Sequence, residues 1–258
     1  MALRDILSRT APNGNGRESV LFQYKGGIAL IISPEELERA RQTKRLALPE
    51  KASAPLRLYE YLCQKCCIDG EIVNELIHEG KLYQDRLGNA VFVGFNEHNK
   101  PRFASVRGLY GENSHRFDCA GSDKRYGFNM AYSDSDQLYI YESPIGAMSH
   151  ASMENISKDD KDAWKRSSRL SLGGLSDAAI PKHLEMHPHV KELVFCLDND
   201  LPGQDASTSL SKKYAAKGYI TRIEPPLGKD FSIDLIVMKN RVQREMEILQ
   251  ERGKIYDR

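Results

Sequence analysis

Apolar and polar positions follow three different rhythms along this chain. Near the start, Val20–Tyr24 and Ile28–Ile32 alternate around Lys25-Gly26-Gly27, which predicts a β-hairpin. Residues 1–18 are polar and contain glycine and asparagine, and are expected to fray. Ser33 is a suitable N-cap, Pro34 suits a first helical position, and Glu36 can complete a capping box, so a helix should begin there. Residues 48–56 have the composition of a linker. Leu58–Lys65 and Glu71–His78 carry helical periodicity. Short strand-like runs then follow at Lys81–Gln84, Ala90–Phe95 and Arg102–Arg107, with Leu87-Gly88-Asn89 and residues 96–100 as turns. Tyr126–Met130 predicts one more strand of this helix-then-antiparallel-sheet region.

From Leu138 the rhythm becomes strand, helix, strand, helix. Strand Leu138–Tyr141 leads into a helix capped by Ser143 with Pro144 in its first turn. Leu170–Leu172 is a short strand closed by Gly173-Gly174. Pro181–Met186 predicts a short helix and Leu193–Leu197 a buried strand. Gln204–Lys217 predicts a helix stopped by Gly218, and Tyr219–Ile223 a further strand. Residues 232–252 form a charged amphipathic helix with Ile233, Ile236, Val237, Val242, Met246 and Leu249 on its apolar side. The fold class is therefore α/β. A mostly parallel, Rossmann-like sheet lies in the C-terminal part, after an α+β N-terminal region with antiparallel strands. The expected divisions are 1–55 (hairpin, helix and linker), 56–135 (α+β) and 136–258 (α/β with the last helix).

Composition narrows the function classes. The 258 residues are 40% hydrophobic and 28% charged, ordinary for a globular protein. No apolar run approaches the ~20 residues of a membrane span, and the first residues lack a signal-peptide core. Five cysteines in no recognisable framework fit a reducing cytoplasm. A net charge of +1 argues against coating nucleic acid by charge alone, so any such contact must use a local patch.

Two acidic clusters carry the chemistry. Glu142 follows the Leu138–Tyr141 run, and Asp198 and Asp200 follow the Leu193–Leu197 run. Ligands of open α/β sheets bind outside the carboxyl ends of strands. Three carboxylates there would form a hard oxygen pocket for Mg²⁺ or Mn²⁺ and for phosphate chemistry. For either aspartate alone, helix capping is the plainer account. The ordered series is rarer: a strand-end Glu, a Leu-Gly-Gly turn, then Asp-x-Asp-x-x-Gly.

Glu142-Ser143-Pro144-Ile145, Ser171-Leu172-Gly173-Gly174, and Asp198-Asn199-Asp200 with Gly203 and Ala206 resemble the TOPRIM domain of bacterial primases, topoisomerases and some nucleases. The resemblance spans residues 136–240 and implies that Glu142, Asp198 and Asp200 are the catalytic, metal-holding acids. Residues 89–95, 101–108 and 121–128 look like the segment that precedes TOPRIM in primase-like proteins of plasmids and other mobile elements. Leu21–Tyr24 and Gly26–Leu30 fit that same group. The family commonly has an aspartate four residues after the glutamate, where this chain has Gly146. Replication primases also carry a zinc-binding domain and a helicase-contact domain. Neither is recognisable here, so template recognition is expected to differ or to come from another protein.

Asp230 and Asp234 in Gly-Lys-Asp-Phe-Ser-Ile-Asp-Leu could complete the metal shell, or could simply cap the last helix. Arg107 and Lys124 are the first candidates for a nucleic-acid or nucleotide groove, followed by Arg102, Arg125 and Lys229. Lys161, Lys165, Arg166 and Arg169 read as an exposed loop or helix face. Cys63, Cys66 and Cys67 read as structural thiols. His183, His187 and His189 read as a solvated helix end interrupted by Pro188. The leading expectation is metal-dependent, primase-like nucleotidyl transfer in mobile-element replication or transfer. Single-stranded DNA and nucleotides would be its ligands, and replication or mobilisation proteins its partners. A TOPRIM nuclease that hydrolyses phosphodiesters, and a degenerate DNA-binding or partner-recruiting module, are the alternatives.

Overall fold

The structure is a computed structural model that describes residues 7–12, 18–23, 29–32, 45–110, 115–130 and 135–256. Two compact units divide the chain, Met1–Arg45 and Leu46–Arg258. In the first, strands β1 (Leu7–Pro12), β2 (Glu18–Gln23) and β3 (Ala29–Ile32) form an antiparallel sheet in that order. The expected hairpin is its β2–β3 pair, with Val20 opposite Ile32. Residues 7–12 are a paired strand rather than a frayed end, with Leu7 opposite Gln23. A polar strand needs only a partner's backbone, which composition does not reveal. The helix expected from Ser33 lies outside the described residues.

The second unit opens with residues 46–55, which are irregular but not a free linker. Lys51 bridges Asp85, Ala52 N–H donates to the Gln84 carbonyl at 2.8 Å, and the Tyr83 hydroxyl donates to the Pro49 carbonyl at 2.9 Å. Helix α1 (Leu56–Tyr59) runs into a π-helical turn over Glu60–Lys65, closed by Cys66 N–H to the Tyr61 carbonyl at 2.9 Å. Helix α2 (Gly70–His78) is capped by Asp69, whose carboxylate accepts from Glu71 N–H at 3.0 Å. Strands β4 (Leu82–Gln84), β5 (Ala90–Phe95), β6 (Pro101–Arg107) and β7 (Arg116–Asp118) then form an antiparallel sheet in sequence order. β7 was not legible: two of its three side chains are exposed, so it has no apolar rhythm.

Strand β8 (Asn129–Met130) corrects the reading of Tyr126–Met130. It leaves the antiparallel sheet and pairs with β10 (Ser168–Ser171), Leu170 opposite Asn129. It forms the antiparallel edge of a five-stranded sheet with β9 (Gln137–Tyr141), β11 (Glu192–Cys196) and β12 (Ile220–Ile223), ordered β12-β11-β9-β10-β8. The other pairings are parallel. The fold is thus the expected mostly parallel α/β sheet after antiparallel strands. Helices α3 (Pro144–Lys158), α4 (Ala179–Met186), α5 (Leu201–Ala215) and α6 (Phe231–Tyr256) connect and flank its strands.

One apolar core runs through the α1–α2 region and the parallel sheet: Leu62, Ile72 and Leu76 pack with Met148, Trp164 and Phe231. Polar ties reinforce it, with Asn155 donating to Asp69 Oδ2 at 3.1 Å and Asp69 N–H donating to Ser152 at 3.0 Å. Arg169, read from sequence as exposed, is fully buried on β10. Its guanidinium pairs with Glu154, bonds the Trp164 and Ser167 carbonyls, and lies 6.0 Å from the Tyr139 ring centre. All four side chains of β10 are buried, so its sheet is covered on both faces there and a residue of either orientation lies inside. No helix among the described residues is long and apolar enough to cross a membrane.

Candidate active site: four carboxylates at the strand ends

Strand register brings the two acidic clusters together. Cys196 lies opposite Tyr141 in the β11–β9 pair, and Ser171 opposite Tyr141 in the β10–β9 pair. Three strands therefore end level. Glu142 leaves β9 one residue past that line and Asp198 leaves β11 two residues past it, on neighbouring strands spaced about 4.8 Å apart. The Leu-Gly-Gly turn holds the first of these ends. Gly174 N–H donates to the Glu142 carbonyl at 3.0 Å, and Leu172 N–H to the Tyr141 carbonyl at 2.9 Å. Gly173 and Gly174 adopt φ of 65° and 142°, which glycine accommodates without strain. Ser143 caps α3 through Gly146 N–H at 3.1 Å, with Pro144 in the first turn as expected.

The second end depends on a close approach. Asp200 caps α5 by accepting from Gly203 N–H at 3.0 Å. A Cβ on Gly203 would lie 2.0 Å from the Asp198 carbonyl oxygen, so only glycine lets the helix start against that turn. Asn199 N–H donates to the Lys229 carbonyl at 2.8 Å and its side chain to the Pro226 carbonyl at 3.2 Å. These bonds tie the loop before α6 to the Asp198–Asp200 turn. Asp230 lies in that loop and caps α6, accepting from Ser232 N–H at 2.9 Å and Ile233 N–H at 3.0 Å.

The electrostatics register the convergence. Desolvation, then repulsion from Glu142, Asp230 and Asp200, pushes the Asp198 carboxyl up to about 6, with Arg116 opposing. Desolvation also raises Glu142, where Arg116 and Lys229 offset part of the repulsion from Asp200. Capping and membership of the cluster are thus not alternatives for Asp200 and Asp230: each caps a helix with one oxygen and still faces Asp198. Among the described residues, no three acidic, cysteine or histidine side chains are closed around a common point as metal ligands.

Asp234 is engaged elsewhere. Its two oxygens accept from Leu227 N–H and Gly228 N–H, each at 2.7 Å, and order the loop ahead of α6. The sequence-chosen basic residues also separate. Lys229 faces Glu142. Arg125 forks onto Asp123, with Arg102 3.7 Å from the same carboxylate and stacked against Tyr126. Lys124 pairs with Asp118 at 2.9 Å. Arg107 donates to the Tyr61 hydroxyl at 3.3 Å, and its buried Nε has no partner. Arg116, missed from sequence, is the cation facing both Glu142 and Asp198. It lies opposite Arg107 in the β6–β7 pair, and no sequence signal links it to acids that follow in a different sheet.

Comparison with known proteins agrees with this architecture. Residues 139–235 match a family described as Toprim-like, and residues 60–135 match a family of proteins of unknown function, DUF3991. An uncharacterized Bacillus anthracis protein, pXO2-78, is 27% identical over 194 residues, covering 71% of this chain and 53% of its own length. The chain therefore spans about half the length of that curated relative. The primase fragment of the bacteriophage T7 primase-helicase protein superposes with a TM-score of 0.51 at 11% identity, covering 93% of this chain and 98% of that one. The zinc-binding and RNA polymerase domains of the Aquifex aeolicus primase give 0.49 at 15% identity, over 83% and 61% of the two chains. At these identities the structural likeness is one of fold. Behind its antiparallel region the chain thus resembles a TOPRIM domain over residues 139–235, and as a whole it resembles the primase-like proteins of plasmids and mobile elements.

Proposed function

We propose that the chain is a metal-dependent nucleotidyltransferase of primase type, with Glu142, Asp198 and Asp200 as its catalytic acids and Asp230 beside them. One observation carries the reading: the level ends of β9 and β11 set Glu142 and Asp198 on neighbouring strands, and the Asn199–Lys229 bond ties the loop that carries Asp230 to the Asp198–Asp200 turn. The donor set is all oxygen and strongly anionic, which fits Mg²⁺ or Mn²⁺ rather than a soft metal. A bound divalent ion would neutralise phosphate charge and acidify a coordinated hydroxyl. The protein's own contribution is positional. Gly203 and the Leu-Gly-Gly turn fix the two backbone ends that carry the acids. Arg116 and Lys229 offer cationic contacts to the phosphates of a nucleotide or strand. Asp234 supports the loop that holds Lys229 and Asp230.

In this reading the working divisions 56–135 and 136–258 keep their roles, but residues 46–55 go with the second unit rather than with the first strands, and β8 edges the later sheet. The 56–135 segment supplies Arg116 to a site otherwise built by 136–258. Single-stranded DNA and nucleoside triphosphates are the ligands, replication or mobilisation proteins the partners, and the cytoplasm the location. Purified chain given single-stranded DNA, nucleotides and Mn²⁺ should make short oligomers, and Asp198→Ala should make none. Equal product from both proteins would reject the assignment. Loss of labelled DNA without added nucleotides would reassign the same acids to hydrolysis.

A further inference from the structure

Helix α6 buries Phe231 and Leu235 in the core beside Met148 and Trp164. The apolar side expected of it from sequence is otherwise largely open: Val237 is 61% exposed and Leu249 66%. Every side chain from Gln243 to Glu251 is exposed, so the distal half of the helix stands in solvent. A helical stretch of that length is marginal in water on its own. The proximal half borders a groove of about 540 Å³, lined by Val237, Met238, Arg241 and Glu245 on the helix and by Met153 and Leu227 beside it. Asp234 holds that wall in place, accepting from Leu227 N–H and Gly228 N–H. Ile248 lies about two turns beyond Arg241, and Leu249 about two turns beyond Val242. The line of the groove therefore continues onto the solvated end of the helix.

We propose that this face of α6 binds the same face of a second copy of the chain, with the two helices antiparallel about a two-fold axis. The order of side chains along the face carries the assignment. It runs Val237 and Met238, then Arg241, then Glu245, then Ile248 and Leu249. Spacing is symmetric about Gln243, with an apolar pair at each end and opposite charges between. An antiparallel pair centred on Gln243 sets Val237 level with Leu249 of the other copy, Met238 with Ile248, and Arg241 with Glu245. A two-fold contact needs this self-complementarity, because residue i meets j while j meets i. A parallel pair in register would instead set base against base and acid against acid, which like charges oppose. Arg241 Nε reaches Glu245 Oε1 in its own helix at 3.1 Å, so both charges already lie along this line. An exposed pair of that kind contributes little by itself, which leaves both groups available to bond across the axis. The solvated Ile248 and Leu249 of each helix would then cover the Val237–Met238 end of the other copy's groove and remove both apolar surfaces from water.

The test is sedimentation velocity of the full chain over a wide concentration range. Wild type should form a dimer that dissociates on dilution. Arg241→Glu and Glu245→Arg, both at exposed positions and checked for folding by circular dichroism, should each raise the dimer Kd about tenfold or more. The first gathers only acids at the axis and the second only bases. Mixed in equal amounts, the two variants should recover the dimer, because every acid then meets a base across the axis. Variants as dimeric as wild type, or a mixture that stays monomeric, would overturn the proposal. So would a wild type that is monomeric throughout, which would leave the face to a different protein.

Discussion

Replacing Asp198 by asparagine should stabilise the metal-free protein. Desolvation and three neighbouring carboxylates lift this acid from 3.8 to about 6, so its charged form is disfavoured in the folded state. A raised folded pKa means that wild-type stability is complete below 3.8, falls as pH rises through about 6, and is level above that. Asparagine stays neutral throughout, so the variant gains over wild type across that window. A shift from 3.8 to about 6 corresponds to a ceiling of about 3 kcal/mol at 1.36 kcal/mol per unit. Asp198 is only partly buried, and solvent screening reduces the gain to about 1–1.5 kcal/mol. At roughly 2–4 °C per kcal/mol for a unit of this size, the melting temperature should rise by about 2–6 °C.

The assay is thermal unfolding followed by circular dichroism, in chelator, at pH 5 and pH 7.5. At pH 5 the gain should be about half its neutral value. Adding Mg²⁺ or Mn²⁺ should then stabilise wild type more than the variant, because a ligand bound by the folded state raises its stability by mass action. An Asp198→Asn protein no more stable than wild type at pH 7.5, or one whose advantage is the same at both pH values, would refute the convergence of the acids.

Gly203→Ala should cost about 1–3 kcal/mol and abolish product, because its Cβ would meet the Asp198 carbonyl at 2.0 Å; an unchanged melt would contradict that packing. Arg169→Ala should lower stability by about 3–5 kcal/mol, since it leaves Glu154 and two carbonyls without the guanidinium, and denaturant unfolding measures it. Arg116→Ala should weaken single-stranded DNA binding and flatten its salt dependence by about one phosphate contact in fluorescence anisotropy; an unchanged slope would remove Arg116 from the groove.

Local chemistry made much of this protein legible in its sequence. Ser143 and Pro144 announce α3, Gly173-Gly174 closes β10, and the Leu193–Leu197 run requires a strand buried on both faces. These signals act over a few residues, where capping bonds, fixed φ and side-chain periodicity operate. They suffice to put Glu142 and Asp198 at strand ends, because the strand ends are themselves local features.

What those ends meet was decided at longer range. The register that sets Cys196 beside Tyr141, and so Asp198 beside Glu142, depends on residues more than fifty positions apart. Arg116 reaches the acids from a different sheet, and Asn129–Met130 abandons its sequence neighbours to edge the parallel sheet. Arg169 and His183 carry polar side chains that read as surface until neighbouring elements cover them. Short-range propensity thus determined the elements and the placement of the acids along them. Burial, pairing and charge meeting charge came only from packing, because they are properties of residues brought together from distant parts of the chain.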